Sequence, residues 1–553
     1  MGKKRVMLPA EELDLSAVKY EPEFINAPHL TGLMFRLFVK ILEASLIGPA
    51  IISNMKKKSG MVEASTVIPE PPMYKPEYPP QDPEPITIIL YEDGKPEDRV
   101  ELALRCLPEY DPANSWNGDL SQFHYWKIRD YAYGYRSKLV TPSMVAERII
   151  TVIEEFSHKK PPAPLLISFD AEEPLSILDG IFMAIKDDIG CHPYIMKGAT
   201  TWMDETNSNN KDAVCVSRLR SCGVILVGKA NMHELGMGTT GNNPNYGTSR
   251  NPHAPERYTG GSSSGPAAIV ASGICSAALG TDGGGCTSVL LSLCDSGTLE
   301  IIGPIASSVE DVTLVYAAIL GSCPIDKNTL KPVITALLAK FSSLESLNAI
   351  GSLCLGKYTP WFNDVHSTDI SDKCEDILNQ LSKIHCCEIV IPAHLVSVGS
   401  KMLTALNPDC EDGKGTELNY DSRTNMALFR SFTASDYVAA QCLRRRMMYH
   451  HMEIFKKVDV IVTPTTGDNS HVVYVHTLSV SGSLMRFVVA ANLLGLPAIS
   501  VPIGYDKQGL PIGLQLMGRP WGEASILRLA SVVEEPCGSK KRPVSFYDVL
   551  KTS

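Results

Sequence analysis

The chain has 553 residues, is 44% hydrophobic and carries a formal charge of −10. That is enough apolar material for a large core, and the acidic balance excludes the broad basic field that nucleic-acid binding needs. The fifteen cysteines contain no Cys-x-x-Cys pair and the thirteen histidines no His-x-x-x-His spacing, so the thiols read as reduced and no metal or cofactor is expected.

The N-terminus, Met1-Gly-Lys-Lys-Arg-Val, runs into Glu11-Glu12 where a signal peptide would be apolar. Gly2 lacks the serine or threonine that myristoylation requires. Between Leu33 and Ile52, Arg36, Lys40 and Glu43 fall at helical spacing on one face. Leu33, Met34, Phe35, Leu37, Phe38, Val39, Ile41 and Leu42 fill the rest. The charges and Pro49 exclude a spanning helix. The wide apolar arc, with Lys56-Lys57-Lys58 downstream, predicts a helix lying on a membrane surface, or docked on the protein's own core or in a homodimer. Amphipathicity alone does not choose among these.

The run Ile68 to Ile86 is proline-dense and predicts an extended connector. It gives an N-terminal extension over 1–105 and a main body over 106–553. Helices are predicted over Trp126–Ser137 and Pro142–Phe156, and a strand over Ile86–Tyr91. Strands and helices alternate from about Leu175. A buried strand over Ile181–Ile185 leads into Lys186-Asp187-Asp188, a helix covers Lys211–Ser221 and a strand Val224–Gly228. A helix follows over Pro266–Ala271, and Ser307-x-x-Glu310 reads as a capping box for a helix to Leu320. Later strands are Ile350–Leu355, Val458–Thr463, Ala498–Pro502 and Gly513–Met517. This alternation predicts an α/β fold, a large mixed sheet covered by helices on both faces.

Two loops carry the chemistry: Tyr258-Thr-Gly-Gly-Ser-Ser-Ser-Gly265 and Gly280-Thr-Asp-Gly-Gly-Gly-Cys286. Cleaving an amide takes a nucleophile, a base, an acid for the leaving nitrogen and an oxyanion site. Lys186 ends a buried strand, and burial favours a neutral lysine that can act as base. Ser262 is a candidate proton bridge, and the N–H groups along Gly283-Gly284-Gly285-Cys286 are candidate oxyanion donors. Each feature alone has a plainer explanation: a surface charge, a flexible linker, a simple turn.

Their order and company resemble the amidase-signature family, nearest to its plant-type fatty acid amide hydrolase branch. The resemblance covers about 179–320 and 459–519. It is carried by Leu178-Asp-Gly-Ile-Phe-Met-Ala-Ile-Lys-Asp187, Leu226-Val-Gly-Lys-Ala-Asn-Met-His-Glu-Leu-Gly-Met237, Asn251-Pro through Ala267, Asn492-Leu-Leu-Gly-Leu-Pro-Ala-Ile-Ser-Val-Pro502 and Gly509 through Arg519. It implies hydrolysis of N-acylethanolamines or other fatty acid amides, with Lys186 as base, Ser262 as relay beside a cis peptide, and Ser263 as the second matched serine. The nucleophile falls on Cys286, and Gly283, Gly284, Gly285 and Cys286 bind the acyl oxygen. It also implies an intracellular enzyme peripheral to the endoplasmic reticulum or plasma membrane.

Two departures stand out. The family's nucleophile is serine, and a thiolate leaves a tetrahedral intermediate more readily than an amine, so amide cleavage should be slow. The stretches after Cys286, between Asp170 and Leu178, and over Cys386–Ser400 are shorter than the family pattern. The alternative expectation is therefore an inactive homologue that binds lipid or a partner.

Overall fold

The structure, a computed structural model, describes residues 30, 32–58, 68–79, 88–89, 94–117, 123–158, 166–168, 176–203, 211–283, 299–321, 337–338, 353–357, 362, 365, 367–381, 391–466, 484–485, 487–535 and 540–551. In chain order the N-terminal half holds α1 (Gly32–Leu42), α2 (Gly48–Lys58), β1 (Ile88–Ile89), α3 (Pro96–Cys106), α4 (Ile128–Arg136), α5 (Pro142–His158), β2 (Leu166–Ser168), β3 (Phe182–Lys186), α6 (Val214–Ser221), β4 (Ile225–Ala230), β5 (Arg250–Asn251), β6 (Ala254–Tyr258), α7 (Ser264–Ala271), β7 (Ala277–Asp282), β8 (Ile301–Ala306) and α8 (Val309–Ile319). The rest holds β9 (Leu337–Leu338), β10 (Leu355–Lys357), α9 (Thr368–Leu381), α10 (Ile391–Glu411), α11 (Tyr420–Phe429), α12 (Ala434–Phe455), β11 (Val460–Pro464), α13 (Val489–Leu494), β12 (Ala498–Tyr505), β13 (Pro511–Gly518) and α14 (Glu523–Glu534).

The fold is α/β, as expected, with mixed strand directions. One sheet runs β2-β4-β3-β7-β8 and another β10-β11-β13-β12. In the first, β3 lies parallel to both neighbours, with Ile185 beside Lys229 on β4 and Leu279 on β7. Strands β3 and β4 are buried at every position, as a strand covered on both faces must be. One continuous cluster joins both sheets: Met183 and Ala184 of the first share it with Val460, Val462, Leu514 and Leu516 of the second. The helices α3, α6, α8 and α14 contribute Val100, Leu219, Leu314 and Leu529 to the same cluster.

Several boundaries moved. The capping side chain of α8 is Ser308, which accepts from the Asp311 N–H at 3.2 Å. Glu310 turns instead to Lys127 at 3.3 Å and to Arg129, so the Ser307–Glu310 box does not form. The single amphipathic helix over 33–52 is two helices. The chain folds back at Gly48, where a Cβ would lie 2.0 Å from the Leu42 carbonyl oxygen, and Pro49 sits in the first turn of α2, where its missing N–H costs nothing.

α1 buries Val39 and Leu42 against the protein. Beside them two charges reach α11: Glu43 accepts from Arg423 Nε at 2.7 Å, and Arg36 lies 5.6 Å from the Tyr420 ring centroid. Leu33, Met34 and Leu37 point outward with 80%, 60% and 51% of their surface exposed, continued by Leu46 at 92% and Ile47 at 58%.

The described part of the proline-dense run, 68–79, is a strap laid on α12. Met73 is fully buried and its N–H donates to the Gln441 carbonyl at 3.0 Å. Three successive arginines grip it: Arg444 donates to the Tyr74 carbonyl at 3.2 Å, Arg445 to the Pro71 carbonyl at 2.8 Å, and Arg446 forks onto Glu70 with both contacts at 2.8 Å.

Candidate active site

Lys186 is the last residue of β3 and its side chain is 0% exposed. The parallel β3–β7 register puts it beside the end of β7, where Thr281 and Asp282 lie. The serine loop arrives from the other side. It is pinned because the Gly265 N–H donates to the Asn231 carbonyl at 2.9 Å. A Cβ at 265 would meet that oxygen at 2.2 Å, so this approach demands glycine. The Ser262 carbonyl accepts from the His233 N–H at 3.0 Å.

The two expected residues meet: Lys186 Nζ lies 2.9 Å from Ser262 Oγ. Ser262 itself is half-buried, so its hydroxyl bridges the dry lysine and more open space. Ser263 has a different task. Its hydroxyl donates to the Thr281 carbonyl at 2.9 Å and accepts from the Thr281 N–H at 3.2 Å. It clamps the β7 end and does not touch Lys186. Gly283 is half-buried, and no described residue lies within 4 Å of where its Cβ would be, so that side is open among the described residues. Gly284, Gly285 and Cys286 lie outside the described residues. The peptide bonds flanking Ser262 are trans, against the expectation; the cis bond among the described residues is His192–Pro193.

Sequence reasoning missed three groups that complete this pocket. Thr281 Oγ1 accepts from Lys186 Nζ at 2.5 Å and donates to Asp188 Oδ2 at 2.7 Å. The same Asp188 oxygen is 3.2 Å from Lys186 Nζ. Both lay inside quoted motifs, yet neither spacing reveals a contact that only the β3–β7 register creates. The third, His394 on α10, had no sequence signal. Its buried ring faces the Gly283 backbone; burial pushes the imidazole down to about 4, Arg444 adds to this, and the Gly283 contact opposes it. The ring is therefore neutral at physiological pH. Asp282 is exposed, yet the protein around it raises its carboxyl above the usual range, opposed by Asn492 and by Lys186.

Among the described residues no group of three or more His, Cys, Asp or Glu side chains is placed to hold a metal ion. The arrangement offers a buried amine, a hydroxyl bridge and an open glycine backbone, which suits moving a proton to and from a nucleophile attacking a carbonyl.

Comparison with known proteins agrees. The Amidase family profile matches residues 166–290 and 422–527. A fatty acid amide hydrolase of Medicago truncatula is 61% identical over 605 aligned positions covering 100% of both chains. One of Arabidopsis thaliana is 58% identical over 608 positions, again covering 100% of both. These alignments are longer than the 553 residues here, so the relatives hold internal stretches that this chain lacks. The structure of a 6-aminohexanoate cyclic dimer hydrolase shares the fold, with a TM-score of 0.63 at 20% identity, covering 76% of this chain and 98% of that one. With relatives this similar from end to end, the chain belongs to the amidase-signature family of amide-hydrolysing enzymes.

Proposed function

We propose that the chain hydrolyses N-acylethanolamines or related fatty acid amides to fatty acid and amine, slowly, with Cys286 as nucleophile. The observation that carries this reading is the 2.9 Å contact between buried Lys186 and Ser262 beside the loop leading to Cys286. The names of the plant relatives support the substrate class. In this mechanism Ser262 takes the Cys286 proton while passing its own to Lys186, and the thiolate attacks the acyl carbon. Backbone N–H groups of 283–286 hold the oxygen that becomes negative. The proton then returns through Ser262 to the leaving nitrogen. Because thiolate is the better leaving group, collapse toward products requires that return to be early. Water, giving its proton to the same Ser262–Lys186 pair, then attacks the thioester, releasing the fatty acid and returning the proton to Cys286 Sγ.

The test is fatty acid release from a long-chain N-acylethanolamine by the chain and by Cys286→Ser. The expected result is slow release by the chain and faster release by the variant. No release by either folded protein overturns the reading. It would favour a catalytically inactive homologue that binds lipid or a partner, a reading favoured by the internal stretches that the relatives have and this chain lacks.

The same proposal includes a lipid surface as the place where substrate is collected, peripheral to the endoplasmic reticulum or plasma membrane. Its support is the outward apolar face of Leu33, Met34, Leu37, Leu46 and Ile47; no helix among the described residues is long and apolar enough to cross a membrane. Co-sedimentation with anionic liposomes should fall on changing Leu33, Leu37 and Leu46 to glutamate. Unchanged co-sedimentation, with a dimer that dissociates, would instead assign the face to a second copy of the chain.

A further inference from the structure

We propose that Asp188, acting through Thr281, is a positioning residue that aims Lys186 at Ser262 and stabilises the ammonium formed when the nucleophile's proton arrives. This rests on the amidase reading of the pocket. Among the described residues Lys186 Nζ has four polar neighbours: a nearer tripod of Ser262 Oγ at 2.9 Å, Thr281 Oγ1 at 2.5 Å and Asp188 Oδ2 at 3.2 Å, and the Thr281 carbonyl oxygen at 3.4 Å. An ammonium has three protons and no lone pair, and the three nearer acceptors match them, with the Thr281 carbonyl as a longer fourth contact. The direction of the Thr281 hydroxyl is fixed. It donates to Asp188 at 2.7 Å, so toward Lys186 it can only accept. Thr281 is fixed in turn by two bonds to Ser263. Two legs of the tripod are thus rigid, and the third is the half-buried Ser262.

Asp188 is 3% exposed, and its other oxygen, Oδ1, is buried without a hydrogen-bond partner among the described residues. A carboxylate held this way is poorly solvated, and it is worth most when the adjacent amine is charged. The charge balance of the step makes this concrete. A thiol and a neutral amine become a thiolate and an ammonium, with one proton leaving Sγ, one passing from Ser262 Oγ to Nζ, and Asp188 remaining a carboxylate. Asp188 favours the right-hand side. The other charged groups near the lysine are Asp282, which faces it, and the Asp187–Lys229 pair, which is bound elsewhere.

The test needs no turnover. Alkylation of Cys286 by iodoacetamide at pH 7.5, followed by mass spectrometry of the Cys286 peptide, reports the thiolate. Asp188→Asn, close in size and uncharged, should slow it about tenfold, the equivalent of one pKa unit. Thr281→Val should slow it similarly and Thr281→Ser recover most of the loss, a rescue that a packing role would not predict. If lysine were a permanent ammonium, removing Asp188 would leave thiolate formation faster. Unchanged or faster alkylation in Asp188→Asn, or a Thr281→Ser no better than Thr281→Val, overturns the proposal. Should Asp188→Asn fail to fold, the threonine pair decides alone. If the unmutated chain releases no fatty acid, the substrate reading falls while the alkylation rates still decide the role of Asp188.

Discussion

The centre of the molecule holds two buried lysine–aspartate pairs side by side, and they differ in what else they touch. Lys186 and Asp188 share their pocket with Ser262, which opens outward. Lys229 and Asp187 face each other at 3.8 Å, with the Lys229 ammonium also donating to the Ile189 carbonyl. Asp187 Oδ2 accepts the Ala199 N–H at 2.7 Å. Ala199 adopts φ +56°, and its carbonyl accepts from the Asn243 and Asn245 amides at 3.1 Å each. A left-handed alanine costs roughly 1–2 kcal/mol, so this second pair acts as an anchor for a strained turn. Two consecutive aspartates thus serve opposite ends: one points to a site of proton transfer, the other to a fixed loop. Burial of a charge does not by itself mark chemistry; an exit to open space does.

The largest effect should come from breaking the first pair. Lys186→Ala should lower fatty acid release by about 10²–10⁴-fold, the usual range for losing a general base, when introduced into Cys286→Ser and assayed on a long-chain N-acylethanolamine. Urea unfolding of the same variant reads the stability lost with the buried pair, and the rate is compared on folded protein only. A loss of less than about tenfold would remove Lys186 from the proton path.

The second pair should answer in stability instead. Lys229→Met leaves Asp187 buried without its counter-charge, and removal of one partner of a buried ion pair costs about 3–5 kcal/mol. Urea unfolding measures it. Adding Asp187→Asn should recover part of the loss, since neutralising both partners removes the unpaired charge. An additive double variant would show that the 3.8 Å contact contributes nothing.

This contrast marks how much was legible beforehand. Lys186 and Ser262 were readable because an apolar strand ending in lysine and a glycine-flanked serine run keep their order in the chain, and the fold brings them to 2.9 Å. Most elements were readable too, because buried strands such as Phe182–Lys186 and Ile225–Ala230 are nearly continuous apolar runs. The lysine's other partners were not, since Asp188 and Thr281 meet only through the register of β3 with β7. Periodicity showed an amphipathic stretch over 33–52 without showing that Gly48 breaks it or that Arg36 and Glu43 reach α11 beside buried Val39 and Leu42. The strap at 68–79 read as a spacer because prolines signal extension, while its grip comes from Arg444, Arg445 and Arg446, far along the chain.

The smallest predicted effect is on pH, and it sharpens the comparison most. Burial pushes the Asp187 carboxyl up to about 6 from an ordinary 3.8, with Lys229 opposing the rise. A carboxyl whose folded pKa is raised binds its proton more tightly in the native state. Its contribution to stability is complete below about pH 4 and is lost as pH rises through 6. Asp187→Asn mimics the protonated form at every pH, so it lacks this loss. The urea-unfolding free energy of Asp187→Asn minus that of the unmutated chain should therefore rise between pH 4 and 6.5, by an amount on the order of 2 kcal/mol. Asp179 and Asp311, pushed up to about 6 and about 7, titrate in the same window, but both proteins carry them and the difference cancels their share. A flat difference would mean that Lys229 holds Asp187 ionised throughout, and the second pair would then be a permanent ion pair that resists acid rather than one that loosens with it.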